Sequence, residues 1–124
     1  MARILIAEDE EPLRTLIKRG LAEEGHFVVA TADGSEALDT LQSESVGFDL
    51  LLADIKMPVM DGIALALAVA RDFPNLPILL MTGYADQRER VSGLEALICD
   101  VISKPFALAE IKFAVASALA KGKR

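Results

Sequence analysis

Five short apolar runs alternate with five helix-periodic stretches, and this alternation predicts an α/β domain with a parallel sheet covered on both faces. Two further observations agree. The chain has 124 residues, enough for one domain spanning 1–124 and leaving no linker or internal repeat. Hydrophobic residues make up 52% and charged residues 26%, which supplies a core and does not suit disorder.

Arg3-Ile4-Leu5-Ile6-Ala7 is the first strand, and it ends in four acids, Glu8 to Glu11. Pro12 suits the first turn of a helix, and Leu13, Leu16, Ile17 and Leu21 recur at helical spacing until Gly25. His26 falls at that turn and is expected to be solvated. Phe27 to Thr31 is the second strand. Asp33 and Glu36 have capping-box spacing, and Ala37, Leu38 and Leu41 form the stripe of a second helix. The third strand, Leu50 to Ala53, stops at Asp54. A loop with the breakers Met57-Pro58 and Asp61-Gly62 follows. The third helix, about Gly62 to Arg71, is expected to bury Ile63, Ala66, Leu67 and Ala70 and to turn Leu65 and Val69 outward. Ile78 to Met81 is the fourth strand, ending at Thr82-Gly83. A fourth helix, about Asp86 to Ile98, is interrupted by Gly93 and is expected to be the least rigid, since a mid-helix glycine costs ~1 kcal/mol against alanine. Val101 to Ser103 is the fifth strand, ending at Lys104-Pro105-Phe106. Leu108, Ile111, Val115, Ala118 and Leu119 are the stripe of a fifth helix, and Lys121 to Arg124 form a basic tail. Phe113 lies roughly 160° from that stripe, at ~100° per residue, and is expected to be exposed.

Charge and cysteine content narrow the function. A net charge of −6 disfavours direct nucleic-acid binding, because phosphate contacts need a basic patch. No apolar run approaches the ~20 residues of a membrane span, and no signal-peptide pattern precedes the first strand. The single cysteine, Cys99, suits a reducing cytoplasm and is expected to be a buried apolar residue.

The functional signal is where polar residues fall relative to the strands. Glu8 and Asp9 end strand one, Asp54 strand three, Thr82 strand four and Lys104 strand five. In a parallel sheet all lie at one edge, the carboxyl edge where open α/β sheets bind ligands. Three crowded carboxylates repel, and at pH 7 they stay ionised only with a cation among them. Hard oxygen donors of this kind suit Mg²⁺. Lys104 adds a fixed positive charge and Thr82 a hydroxyl donor. These parts match phosphoryl transfer to an aspartate nucleophile.

Over essentially its whole length the sequence resembles the receiver domains of two-component response regulators. The resemblance is carried by Ile4-Leu5-Ile6-Ala7-Glu8-Asp9, by Asp54-Ile55-Lys56-Met57-Pro58-Val59-Met60-Asp61-Gly62, by Met81-Thr82-Gly83 and by Ser103-Lys104-Pro105-Phe106. It implies a flavodoxin-like (CheY-like) doubly wound sheet of five parallel strands, order 2-1-3-4-5, with five helices. It implies Asp54 as phosphoacceptor, and Glu8 and Asp9 as Mg²⁺-site acids. Lys56 would add a backbone carbonyl ligand. Thr82 would bond the phosphoryl group and Lys104 would pair with it, with a cis Lys104-Pro105 peptide. The implied partners are a sensor histidine kinase or histidine phosphotransfer protein, docking on the first helix where Arg14 and Lys18 share a face, and an unidentified target protein. Val101, Phe106 and Phe113 fall on the implied switch and contact surface. Two departures stand out. Val101 occupies the position where many receivers carry an aromatic that swings inward on activation. Position 8 is Glu rather than Asp.

The sequence therefore leads us to expect a stand-alone, cytoplasmic response regulator, monomer or weak dimer, catalysing only its own phosphorylation and dephosphorylation. Its motifs look more like the CpdR-type stand-alone regulators than the chemotaxis type, and Met1 with the charged end suggests a full-length protein. A receiver excised from a hybrid kinase is an alternative. A small aspartyl-phosphate phosphohydrolase is another, but it usually needs an acid where Lys56 stands. A flavin or nucleotide carrier is disfavoured by the acidic loop after strand one, and a purely structural pseudo-receiver by the intact site.

Overall fold

A computed structural model describes residues 1–83 and 90–121. Five strands, β1 (Arg3–Ala7), β2 (Phe27–Thr31), β3 (Leu50–Asp54), β4 (Ile78–Thr82) and β5 (Asp100–Ser103), form one sheet in the order β2-β1-β3-β4-β5. All neighbours are parallel, with Leu5 opposite Leu51 and Ala53 opposite Leu80. All of Leu50–Asp54 is buried because β3 has a strand on each side and helices on each face. That burial is why it reads as an unbroken apolar run rather than an alternating one.

Alternate residues of each strand feed two cores. On one face Leu5, Leu51, Ala53 and Leu80 pack with Ala37 and Leu41 of α2 (Gly34–Ser43) and with Leu65, Ala66 and Val69 of α3 (Gly62–Asp72). On the other, Ile4, Ile6, Leu52 and Met81 pack with Ile17 and Leu21 of α1 (Glu11–Glu23) and with Ile111, Val115 and Ala118 of α4 (Leu108–Lys121). The helix starts follow from local chemistry. Pro12 opens α1. The Asp33 carboxylate accepts from Glu36 N–H at 2.8 Å while Glu36 reaches back to Ala32 N–H at 2.8 Å, the reciprocal bonding that the spacing predicts. Asp61 caps α3 by accepting from Ala64 N–H at 2.9 Å.

Several expectations are corrected. Four helices, not five, are found among the described residues. Of the stretch expected as a fourth helix, Asp86 to Glu89 lie outside the described residues. Arg90 and Val91 are helical, and turns follow. Gly93 has φ +93°, so it ends the helical turn rather than interrupting a longer helix. The end of the basic tail, 122–124, also lies outside the described residues. In α3 the buried residues are Gly62, Leu65, Ala66 and Val69, while Leu67 is 48% exposed. The sequence from Ile63 to Ala70 is apolar throughout, so its periodicity has no contrast from which to set the helix phase. Leu16 of α1 is exposed, because the seam runs through Ile17, Gly20 and Leu21, where Gly20 admits the Leu108 side chain of α4. Cys99 is exposed rather than buried. His26 is half-buried, its Nδ1 accepting from Ala2 N–H at 3.2 Å. Phe113 is 76% exposed, as expected.

Candidate functional site

The parallel sheet brings the ends of β1, β3, β4 and β5 to one edge, and there the expected polar residues meet. Lys104, just past β5, places Nζ 2.9 Å from Asp54 Oδ2 and 3.4 Å from Glu8 Oε1. Carboxylate oxygens of Glu8, Asp9 and Asp54 lie within 4.8 Å of one another. Glu8, Asp54 and Thr82 are buried, whereas Asp9 faces solvent. Glu8 is fixed by accepting from Glu10 N–H at 3.0 Å, and its carbonyl accepts from Arg14 at 2.9 Å. Lys104 N–H donates to Thr82 O at 2.7 Å, which ties the lysine to the end of β4. Gly62 lies against the backbone of Asp54, where any Cβ would strike the Asp54 carbonyl. The Asp61-Gly62 pair is thus needed for close approach as well as for a turn. The Lys104-Pro105 peptide is cis, as the resemblance implies.

These groups open on a cleft of about 650 Å³ lined by Asp9, Asp54, Lys56 and Lys104, with Leu13, Pro105 and Phe106 as an apolar wall. Lys56 is exposed at its rim. Val101 and Phe106 are half-buried, packed against opposite cores, and Phe113 stands on the outer surface of α4.

The electrostatics follow from burial. It pushes the Glu8 carboxyl up to about 7, with the Asp54 and Asp9 charges adding and the Glu10 N–H and Lys104 opposing. Asp54 is also raised, by burial first, with Asp9 adding and the Lys104 ammonium pulling the other way. Burial works against the charge of Lys104, but the Asp54 and Glu8 carboxylates outweigh it and hold Lys104 above its ordinary value. Two buried carboxylates facing one ammonium leave negative charge uncompensated. Together with exposed Asp9 they could hold a metal, and an all-oxygen donor set fits a hard divalent cation.

Two contacts were not anticipated. Arg14, read as part of a docking face, also donates to the Glu8 carbonyl. Arg90 binds Asp61 across 29 residues, a pairing with no local signal.

The receiver-domain model of the response regulator family matches residues 4–116. The chain belongs to that family. It is 38% identical to the response regulator MprA of Mycobacterium avium over 109 residues, covering 88% of this receiver and 47% of the relative. The receiver thus spans about half the length of the curated relatives it matches. Among solved structures, a CheY-like receiver domain protein from Methanospirillum hungatei superposes with a TM-score of 0.89 at 30% identity, covering 98% of this receiver and 95% of that chain. The response regulator TrrA of Thermotoga maritima, solved in complex with Mg²⁺ and BeF, gives 0.84 at 31%, covering 95% and 99%. No helix among the described residues is long and apolar enough to cross a membrane.

Proposed function

We propose that this receiver is the phosphoacceptor of a two-component phosphorelay, taking a phosphoryl group on Asp54 and changing its protein contacts in response. The observation that carries this reading is the Lys104 ammonium 2.9 Å from Asp54 Oδ2 beside the carboxylates of Glu8 and Asp9. An Asp54 carboxylate oxygen attacks phosphorus, the bond from phosphorus to the donor breaks, and the donor leaves with the electron pair. Lys104 pairs with the incoming phosphoryl oxygens, and the Thr82 hydroxyl donates to them. Glu8, Asp9, Asp54 and the Lys56 carbonyl would hold Mg²⁺, which offsets charge on the transferring group. The binding of Mg²⁺ and BeF by TrrA supports this assignment. The chain acts on itself alone and turns over no separate substrate.

A histidine kinase or histidine phosphotransfer protein is the proposed donor, docking on α1, where Leu13 lines the cleft with Pro105 and Phe106 and where Leu16 and Lys18 are exposed. The proposed output surface is the groove of about 590 Å³ between β5 and α4, lined by Val101, Ala109, Glu110 and Phe113. Output through protein contacts, a cytoplasmic location and a monomer or weak dimer complete the proposal, and the net charge of −6 argues against direct nucleic-acid binding. The test is incubation with labelled acetyl phosphate. Mg²⁺-dependent, hydroxylamine-sensitive label that is lost in Asp54→Ala is expected. Label that persists in Asp54→Ala, or forms equally with Mg²⁺ chelated, overturns the reading.

A further inference from the structure

The loop from β3 to α3, residues 55–61, holds a conformation that its sequence resists. Val59 has φ +69°, where a β-branched residue is a genuine outlier. Its side chain is 84% exposed, so no burial offsets the strain. Such strain persists only where the surroundings over-determine it. Gly62 N–H donates to Ile55 O at 2.8 Å and closes the loop on itself. Gly34 N–H donates to Met60 O at 3.0 Å and ties the loop to the start of α2. On the other side, the Arg90 guanidinium donates to Asp61 Oδ2 at 2.6 Å. The first two contacts are backbone to backbone, whereas the third depends on side-chain identity. Asp61 spends its other oxygen capping α3, so one carboxylate joins the loop's end, the helix start and the segment after β4. The neighbour of Arg90, Val91, is buried in the same core as Ile55 and Met57, so the ion pair sits on a packed contact.

We propose that Arg90 is a positioning residue for the phosphorylation site. By gripping Asp61 it keeps the strained loop closed, which holds the Lys56 backbone at the cleft beside Asp54. The inference rests on the receiver reading above and extends it. Arg90, which lies between β4 and β5 in sequence, is thereby coupled to metal affinity. By reciprocity, metal binding tightens the Arg90–Asp61 pair.

The test uses Arg90→Ala, Asp61→Asn and the double variant; asparagine keeps the helix cap and removes the charge. Amide hydrogen exchange in the metal-free protein reads loop opening at Gly34 and Gly62, with Leu51 as the core reference. Calorimetric titration with Mg²⁺ reads the site. Each single variant is expected to speed exchange at Gly34 and Gly62, and to weaken Mg²⁺ binding, by roughly two- to fivefold, the span of a partly exposed ion pair. Leu51 should not change, and the double variant should match the singles. Val59→Asn, which tolerates the left-handed region, should restore both readouts in the Arg90→Ala background. Unchanged exchange and Mg²⁺ affinity in Arg90→Ala, or additive losses in the double variant, overturn the positioning role while leaving the receiver reading intact. Failure of the unmodified protein to bind Mg²⁺ overturns both.

Discussion

Glu8 is a buried carboxyl whose folded pKa is pushed up to about 7 from an ordinary 4.5, chiefly by desolvation. The sign of its effect on stability follows. Below the unfolded value Glu8 is protonated in both states and the fold keeps its full stability. As pH climbs toward 7 the unfolded chain ionises first, so stability falls, and above 7 the loss is complete. Asp54 leans the same way. Glu8→Gln is therefore expected to be more stable than the wild type at pH 8 without metal, by on the order of 2 kcal/mol, and to match it at pH 4.5. Melts at the two pH values check this, and an equal difference at both would contradict it. The same residue shows what a sequence reveals. Glu8, Asp9, Asp54, Thr82 and Lys104 are legible because each ends a strand or comes just after one, and a parallel sheet turns that one-dimensional position into a shared edge. Arg90 and Asp61 are not legible, because their meeting depends on how a segment between two strands packs against a loop 29 residues away.

At the scale of elements, α4 is amphipathic in the way its sequence predicts. Ile111, Val115 and Ala118 are buried, and Phe113 stands 76% exposed on the far side. A lone exposed apolar residue needs no explanation, but here an aromatic borders a groove whose rim carries Asp100 and Glu110. Phe113→Ala is expected to weaken target binding or self-association at least tenfold, a modest value for a buried aromatic anchor. The melting temperature and Asp54 labelling should hardly move. Pull-down and light scattering on the phosphorylated protein would show it, and a large fall in melting temperature would mean that Phe113 supports the core. Helix α3 shows where periodicity fails. Its phase became visible only once Leu65, Ala66 and Val69 were seen against Leu51 and Ala53, since an apolar residue at nearly every position leaves no stripe to read.

For the molecule as a whole, the carboxyl edge of the sheet carries an electrostatic cost that a cation removes. A ligand at 100 times its dissociation constant stabilises by ~2.7 kcal/mol through mass action. Mg²⁺ at that level is expected to raise the melting temperature by about 10 °C, because unfolding a domain of this size carries an entropy of about 0.26 kcal/mol/K. The shift should shrink as pH falls below 7, where protons compete for Glu8 and Asp54. Thermal melts at pH 5 and 8 test it, and an undiminished shift in Asp9→Ala would remove the site from consideration. The opposite end of the sheet is built differently. Arg3 lies between the rings of Phe27 and Phe48, at 4.6 and 4.9 Å, and pairs with Glu44 at 3.0 Å. That end is fastened by side chains drawn from three separate stretches of sequence, which local patterns do not foretell. Strand order, by contrast, was legible from the family resemblance, and outside the stretch between β4 and β5 the alternation of elements was legible from hydropathy alone.

Exposed Cys99 donates its backbone N–H to Ile78 O at the amino end of β4, away from Asp54. Because it is the chain's single cysteine, a maleimide dye attaches at one known place without mutagenesis and leaves the chemistry untouched. The same thiol is a trap at the bench. Two molecules oxidised through Cys99 in air would elute as a dimer whatever the state of Asp54. Any apparent phosphorylation-driven dimer should therefore be measured in reductant and repeated with Cys99→Ser.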